Sequence, residues 1–151
     1  YPYSNPAVEG GASQSDTRFK KIAEDIVAGR DIVWSKNDGT QFLSSRQIAQ
    51  VYTALVESDL NEEIFYALGS NFITWYQIAC MAKEMTPGCQ SRITAEGECG
   101  KPNLYCVDKI HRVFGLRFDG MDDMEEHIRW NLERAKAKLA GETLHDPVHS
   151  Y

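Results

Sequence analysis

Three sets of residues in this chain have the types and spacing for chemistry. The first is Glu57, which closes the apolar-periodic run Ile48–Val56 and is followed by Ser58. A carboxyl held at a helix end and partly buried among apolar groups has a raised pKa and can protonate a leaving oxygen. The second is the acidic segment Asp119, Asp122, Asp123, Glu125 and Glu126, followed by His127. Asp123 and His127 are four apart, so on a helix both could face one metal ion. The third is the set Cys80, Cys89, Cys99 and Cys106, which are the 4 cysteines of the chain.

Each set also has a reading without chemistry. The acidic segment lacks the alternating oxygen ligands of a calcium loop. Asp122 or Asp123 at an N-cap, with Glu125 or Glu126 three residues on, reads as helix initiation, and first-turn carboxylates suit the helix dipole. No metal site is therefore expected. Structural zinc sites use tight C-x₂₋₄-C pairs, and this chain has none. The cysteines read instead as disulfides, in a nested pairing of Cys80 with Cys106 and Cys89 with Cys99 that would fix the Pro- and Gly-containing loop 86–103 against two helices. Such bridges imply a secreted or periplasmic protein; four free thiols are the alternative. A nucleophilic Cys89 with His111 as base needs the two brought together, which nothing in the sequence does. His145 and His149 flank Pro147, which interrupts any helix that would align them.

Beyond Glu57-Ser58-Asp59-Leu60-Asn61 come Ala67, Gly69-Ser70 and Gln77-Ile78. This order loosely resembles the lytic-transglycosylase branch of the lysozyme-like enzymes. There a catalytic Glu ends a helix, Ser follows it, and a Gly-rich turn leads to a Gln-Ile pair. The resemblance implies a small glycoside hydrolase with Glu57 as general acid. Where that family has a Gly before the pair, this chain reads Trp75-Tyr76.

The elements that must carry these residues read as helices. Phe19, Ile22, Ala23, Ile26 and Val27 mark one buried face, with Ser15 or Asp16 as cap and Gly29 as stop. Ile48, Val51, Tyr52, Leu55 and Val56 mark a second, opened by the capping pair Ser44 and Gln47. Asp59 and Glu62 form the same pattern ahead of Leu60, Ile64, Phe65 and Leu68. Residues 72–85, capped by Ser70 or Asn71, are apolar on nearly every side and predict a central helix. Two more helices are expected over about 104–114 and 123–140. At Asp31–Leu43, Asp38-Gly39 between apolar runs signals a hairpin, with a long interhelix loop as the equal alternative.

The fold class that follows is mainly α: a five- to six-helix orthogonal bundle around the buried helix 72–85, with room for one small β-hairpin near 31–43. Residues 1–14 and 141–151 read as tails around a single domain, 15–140. A chain of 151 residues buries enough surface to fold without disulfides. The net charge of −6 argues against nucleic acid or an anionic membrane as partner and suits a basic protein. The longest apolar stretch, 72–82, is too short for a bilayer, which needs about 20 residues. There is no Gly-rich phosphate loop, no G-x-S-x-G elbow and no H-E-x-x-H pair. No cofactor is expected. The reading is thus a secreted or periplasmic acidic binding module, effector- or inhibitor-like, acting through protein–protein contacts. Its candidate contact residues are Glu62, Glu63, Asp122, Asp123 and Glu126. The alternative is the lysozyme-like hydrolase using Glu57.

Overall fold

Two capping boxes organise the middle of the chain. The computed structural model describes residues 2–3, 17–142 and 144. In it, the Ser44 hydroxyl accepts from the Gln47 amide at 3.2 Å while the Gln47 side chain accepts from the Ser44 amide at 3.0 Å. These reciprocal bonds start helix α2, Ser45–Val56. Thr74 and Gln77 repeat the device to start α3, Trp75–Glu84. Helix α1 spans Arg18–Val27, with Thr17 at its N-cap position. Helices α4, Asp108–Phe114, and α5, Met124–Ala140, each end at a glycine with positive φ, Gly115 and Gly141.

Among the described residues there are six short strands, the first ahead of α1 and the rest between helices: β1, Pro2–Tyr3; β2, Ile32–Trp34; β3, Gly39–Thr40; β4, Leu43–Ser44; β5, Ile73–Thr74; and β6, Ile93–Ala95. They form three two-stranded pairs, β1 with β4 and β2 with β6 in parallel, and β3 with β5 antiparallel. The chain is therefore an α/β protein, and the mainly α bundle expected from periodicity is corrected. The hairpin, one of the two equal readings of 31–43, is corrected with it. All three strands of that segment pair with distant partners rather than with one another. Gly39 permits this: a Cβ there would lie 2.2 Å from the Ile73 carbonyl oxygen, so only a glycine lets β3 and β5 approach so closely.

The main core gathers Tyr3, Phe19, Ile26, Phe42, Trp75, Ile78, Met124, Ile128 and Leu132. Trp75 and Ile78 place α3 at its centre, 1% and 0% exposed, and each such side chain contributes roughly 1.5–3 kcal/mol of burial. Helices α1 and α5 cover α3 from outside. A second, smaller cluster has four buried residues, Leu43, Val51, Ile110 and Phe118, and a rim of half-buried side chains that includes Leu55, Phe65 and Phe114.

The short helix expected from Asp59 and Glu62 does not form. Glu62 sits at φ +57, and residues 64–69 run without helical structure. The Lys109 ammonium reaches over to bond Glu63 at 2.5 Å and the Ile64 carbonyl at 2.9 Å, holding this segment out along α4. Tyr3, expected in a tail, is 5% exposed and packs in the core. The rest of the expected tails, including the pair His145 and His149, lies outside the described residues, apart from Pro2, Gly141, Glu142 and Leu144, and so do the expected caps Ser15 and Asp16.

Candidate functional site

The predicted acidic residues come together, but around the start of α2. Asp123 occupies the N-cap position of α5, yet its carboxylate turns away from that helix to the Ser44 hydroxyl and the Arg46 guanidinium. Arg46 also forks onto Glu126 at 2.6 and 2.9 Å. Gln47 donates to Asp122 at 3.1 Å and to the Asp119 carbonyl at 2.8 Å. The Asp119 carboxylate accepts from Asn71 and from the Met121 amide, both at 2.8 Å. Glu126 first, and Asp123 after it, push the Arg46 pKa above its ordinary value. Three of the five candidate contact residues, Asp122, Asp123 and Glu126, are thereby engaged in clamping α5 to α2.

His127 does not join them. It is 8% exposed and lies among the rings of Tyr3, Phe19 and Trp130. Burial lowers its pKa to about 4, against a smaller opposing pull from Glu126. The same burial raises the Tyr3 pKa. A neutral imidazole facing aromatic rings is a core residue, and among the described residues no group of three His, Cys, Asp or Glu side chains could hold a metal ion.

Glu57 and Glu62 are exposed, and Glu63 is paired to Lys109. The general-acid role implied for Glu57 needs an apolar, partly buried carboxyl. Glu57 instead sits at the C-cap of α2 in solvent.

The expected disulfides are corrected: all four cysteines are free thiols. Cys80 and Cys89 line one cleft but are not bonded to each other. Cys80 stands on α3, and Cys89 packs against the main core with its thiol 3.4 Å from the Ile26 carbonyl. Between Cys89 and Cys99 the chain runs back to pair with β2, and the Cys99 amide bonds the Asn37 side chain at 2.8 Å. Cys106 lies beyond, in a cleft of about 440 Å³ with Tyr66, Lys109, His111 and Arg112. With the bridges gone, the argument for an oxidising compartment, and for secretion, goes too.

Two polar arrangements escaped the sequence reading. Gln41 is buried and ties two loops together. Its amide donates to the Gly69 carbonyl at 3.0 Å and the Tyr105 carbonyl at 3.1 Å, and its oxygen accepts from the Tyr105 amide at 2.8 Å. Trp34 stacks on Trp75 at 5.9 Å, and the Arg18 guanidinium lies 4.3 Å above the Trp75 ring. A buried glutamine between apolar residues has no periodic signature; only its position beside Phe42 hinted at burial.

No family model and no curated protein matches the sequence. Among solved structures, the chain is similar to RMD from Pseudomonas aeruginosa, determined in complex with NADPH. The TM-score is 0.64 at 12% identity, over 85% of this chain and 46% of that one. The chain thus spans less than half of that protein's length. The likeness is one of fold, and it agrees with the α/β arrangement.

The N-termini of α2, α3 and α5 do not fit the pyrophosphate of such a nucleotide, which favours an open helix N-terminus with a Gly-rich approach. The N-termini of α2 and α3 are closed by their own capping boxes. That of α5 is flanked by Asp122, Asp123, Glu125 and Glu126, which repel an anion.

Proposed function

We propose that this chain is the non-nucleotide portion of an NADPH-dependent protein, working beside a separate unit that holds the nucleotide. The observation that carries this reading is the shared fold with an NADPH-bound protein over most of this chain but under half of the other. The closed or acidic N-termini of α2, α3 and α5 support assigning the nucleotide to another unit. So does a sequence without a Gly-rich phosphate loop. NADPH supplies a hydride, and a portion of this kind contributes walls around the group that receives it. The expected mode of action, contact with another protein surface, is part of this proposal.

The test is to isolate the protein from its source with antibodies raised against residues 17–142, then measure its intact mass and bound nicotinamide nucleotide. The expected result is NADPH held by a longer chain or by a complex, with no binding of NADPH by the 151-residue chain alone. A free 151-residue species without nucleotide overturns the reading. So does tight NADPH binding by that chain alone.

A further inference from the structure

The smaller core cluster lies beneath exposed apolar side chains. Its four buried residues are overlain by α2, α4 and the irregular segment 57–69, and the outer surface of that layer is again apolar. Val56 is 85% exposed, Ile64 79% and Tyr52 65%, with Tyr66, Tyr105 and Leu60 beside them. Single exposed apolar side chains are ordinary, but a contiguous group marks an interaction surface. These residues fall in two groups, on stretches whose inner side chains, Leu55 and Phe65, pack against the same cluster. Tyr52 and Val56 stand one turn apart on α2. The Tyr66 and Tyr105 rings lie 5.0 Å apart, and Lys109 joins Ile64 to α4. Val33 and Leu139, also exposed, stand on other elements, β2 and the end of α5.

We propose that this face, centred on Tyr52, Val56, Ile64 and Tyr66, is the seat of the nucleotide-binding unit, an inference that rests on the function proposed above. More than half of the similar NADPH-bound chain has no counterpart here, and a unit of that size needs an interface of roughly 800 Å² on each side. The rim fixes the partner's chemistry. Glu57, Asp59 and Glu62 are exposed and make no ion pair among the described residues. The docking surface of the partner is therefore apolar at its centre with lysine or arginine around it. Opposite charge at the rim speeds and orients docking, while the buried apolar centre holds it.

Hydroxyl-radical footprinting tests this directly, because tyrosines label readily. The 151-residue chain alone is compared with the intact protein isolated from its source. Labelling of Tyr52, Tyr66 and Tyr105 is expected to fall several-fold in the intact protein, with Val33 and Leu139 unchanged. Equal labelling in an intact protein that does hold NADPH overturns the docking face and leaves the proposed function standing. A source protein that is neither longer nor nucleotide-bound overturns the function itself. Protection that already appears in the isolated chain and grows with its concentration assigns the face to a second copy, and overturns this proposal.

Discussion

His127 shows how far environment decides what a titratable residue does. Its spacing from Asp123 suits a shared metal, but α5 turns the imidazole inward against Tyr3 and Phe19. Its folded pKa of about 4 lies below the ordinary value of 6.5. Above pH 6.5 both folded and unfolded chains carry it neutral, and its contribution to stability is whole. Between pH 6.5 and 4 only the unfolded chain takes the proton, so stability falls as pH falls, by on the order of 3 kcal/mol across the window. Urea midpoints measured from pH 7.5 to 4.5 should show that slope in the wild type and lose most of it in His127→Phe. Asp25 titrates lower and does not confuse the result. Burial works to raise its pKa, but Lys21 at 2.6 Å and Arg30 at 2.7 Å outweigh burial and hold it below the ordinary carboxylate range. The cysteines yield a second expectation at this scale. Thiol titration of the unfolded protein without reductant should count four, and in the native protein the exposed Cys99 and Cys106 should react ahead of Cys80 and Cys89. A count of zero would restore the bridges.

Identical local patterns took opposite courses in two elements. Ser44 with Gln47 is a capping box and starts α2, as its sequence predicts. Asp59 with Glu62 has the same spacing and starts nothing, because Lys109 draws Glu63 and the Ile64 carbonyl away and Phe65 goes to pack on Phe114 at 5.2 Å. A cap is worth about 1 kcal/mol, so a few tertiary contacts suffice to override it. The strands were illegible for a different reason. Segments of two or three residues carry no period, and their partners lie far along the chain, as with Ile32 and Ile93. The acidic clamp provides the test at this scale. Ser44→Ala removes the cap of α2 and a partner of Asp123 and should cost about 1–2 kcal/mol by chemical denaturation. Arg46 is 63% exposed, so Arg46→Ala should cost less than about 1 kcal/mol, and its effect should shrink in high salt. A larger loss for Arg46 would mean that the ion pairs, not the cap, hold α5 to α2.

Across the whole molecule, the helices with one apolar face were legible, and so was the central place of α3. What joins them was not. The contact residues chosen by charge divide in the same way. Asp122, Asp123 and Glu126 hold the fold, while the face left open beside Glu57 and Glu62 is apolar, a feature that a search for carboxylates passes over. If that face serves no internal purpose, Val56→Glu with Ile64→Glu should leave the melting temperature of the isolated chain within a few degrees of wild type and reduce its binding of a hydrophobic dye. A collapse in melting temperature would show that the two side chains support the fold itself. The carbonyl of Phe42 has a wider consequence. It accepts from the Gly69 amide at 3.0 Å, and a Cβ would stand 2.4 Å from it at Gly69 and 2.9 Å from it at Gly120. Three stretches of chain converge on that one oxygen with no room for a methyl group. Any attempt to splice a reporter into this protein therefore divides its surface in two. The junctions at 40–44, 68–71 and 118–121 should reject every insertion, whereas the turns at 28–30 and 96–101 should accept one, and a scan of split-protein or epitope insertions would trace the knot that closes the fold.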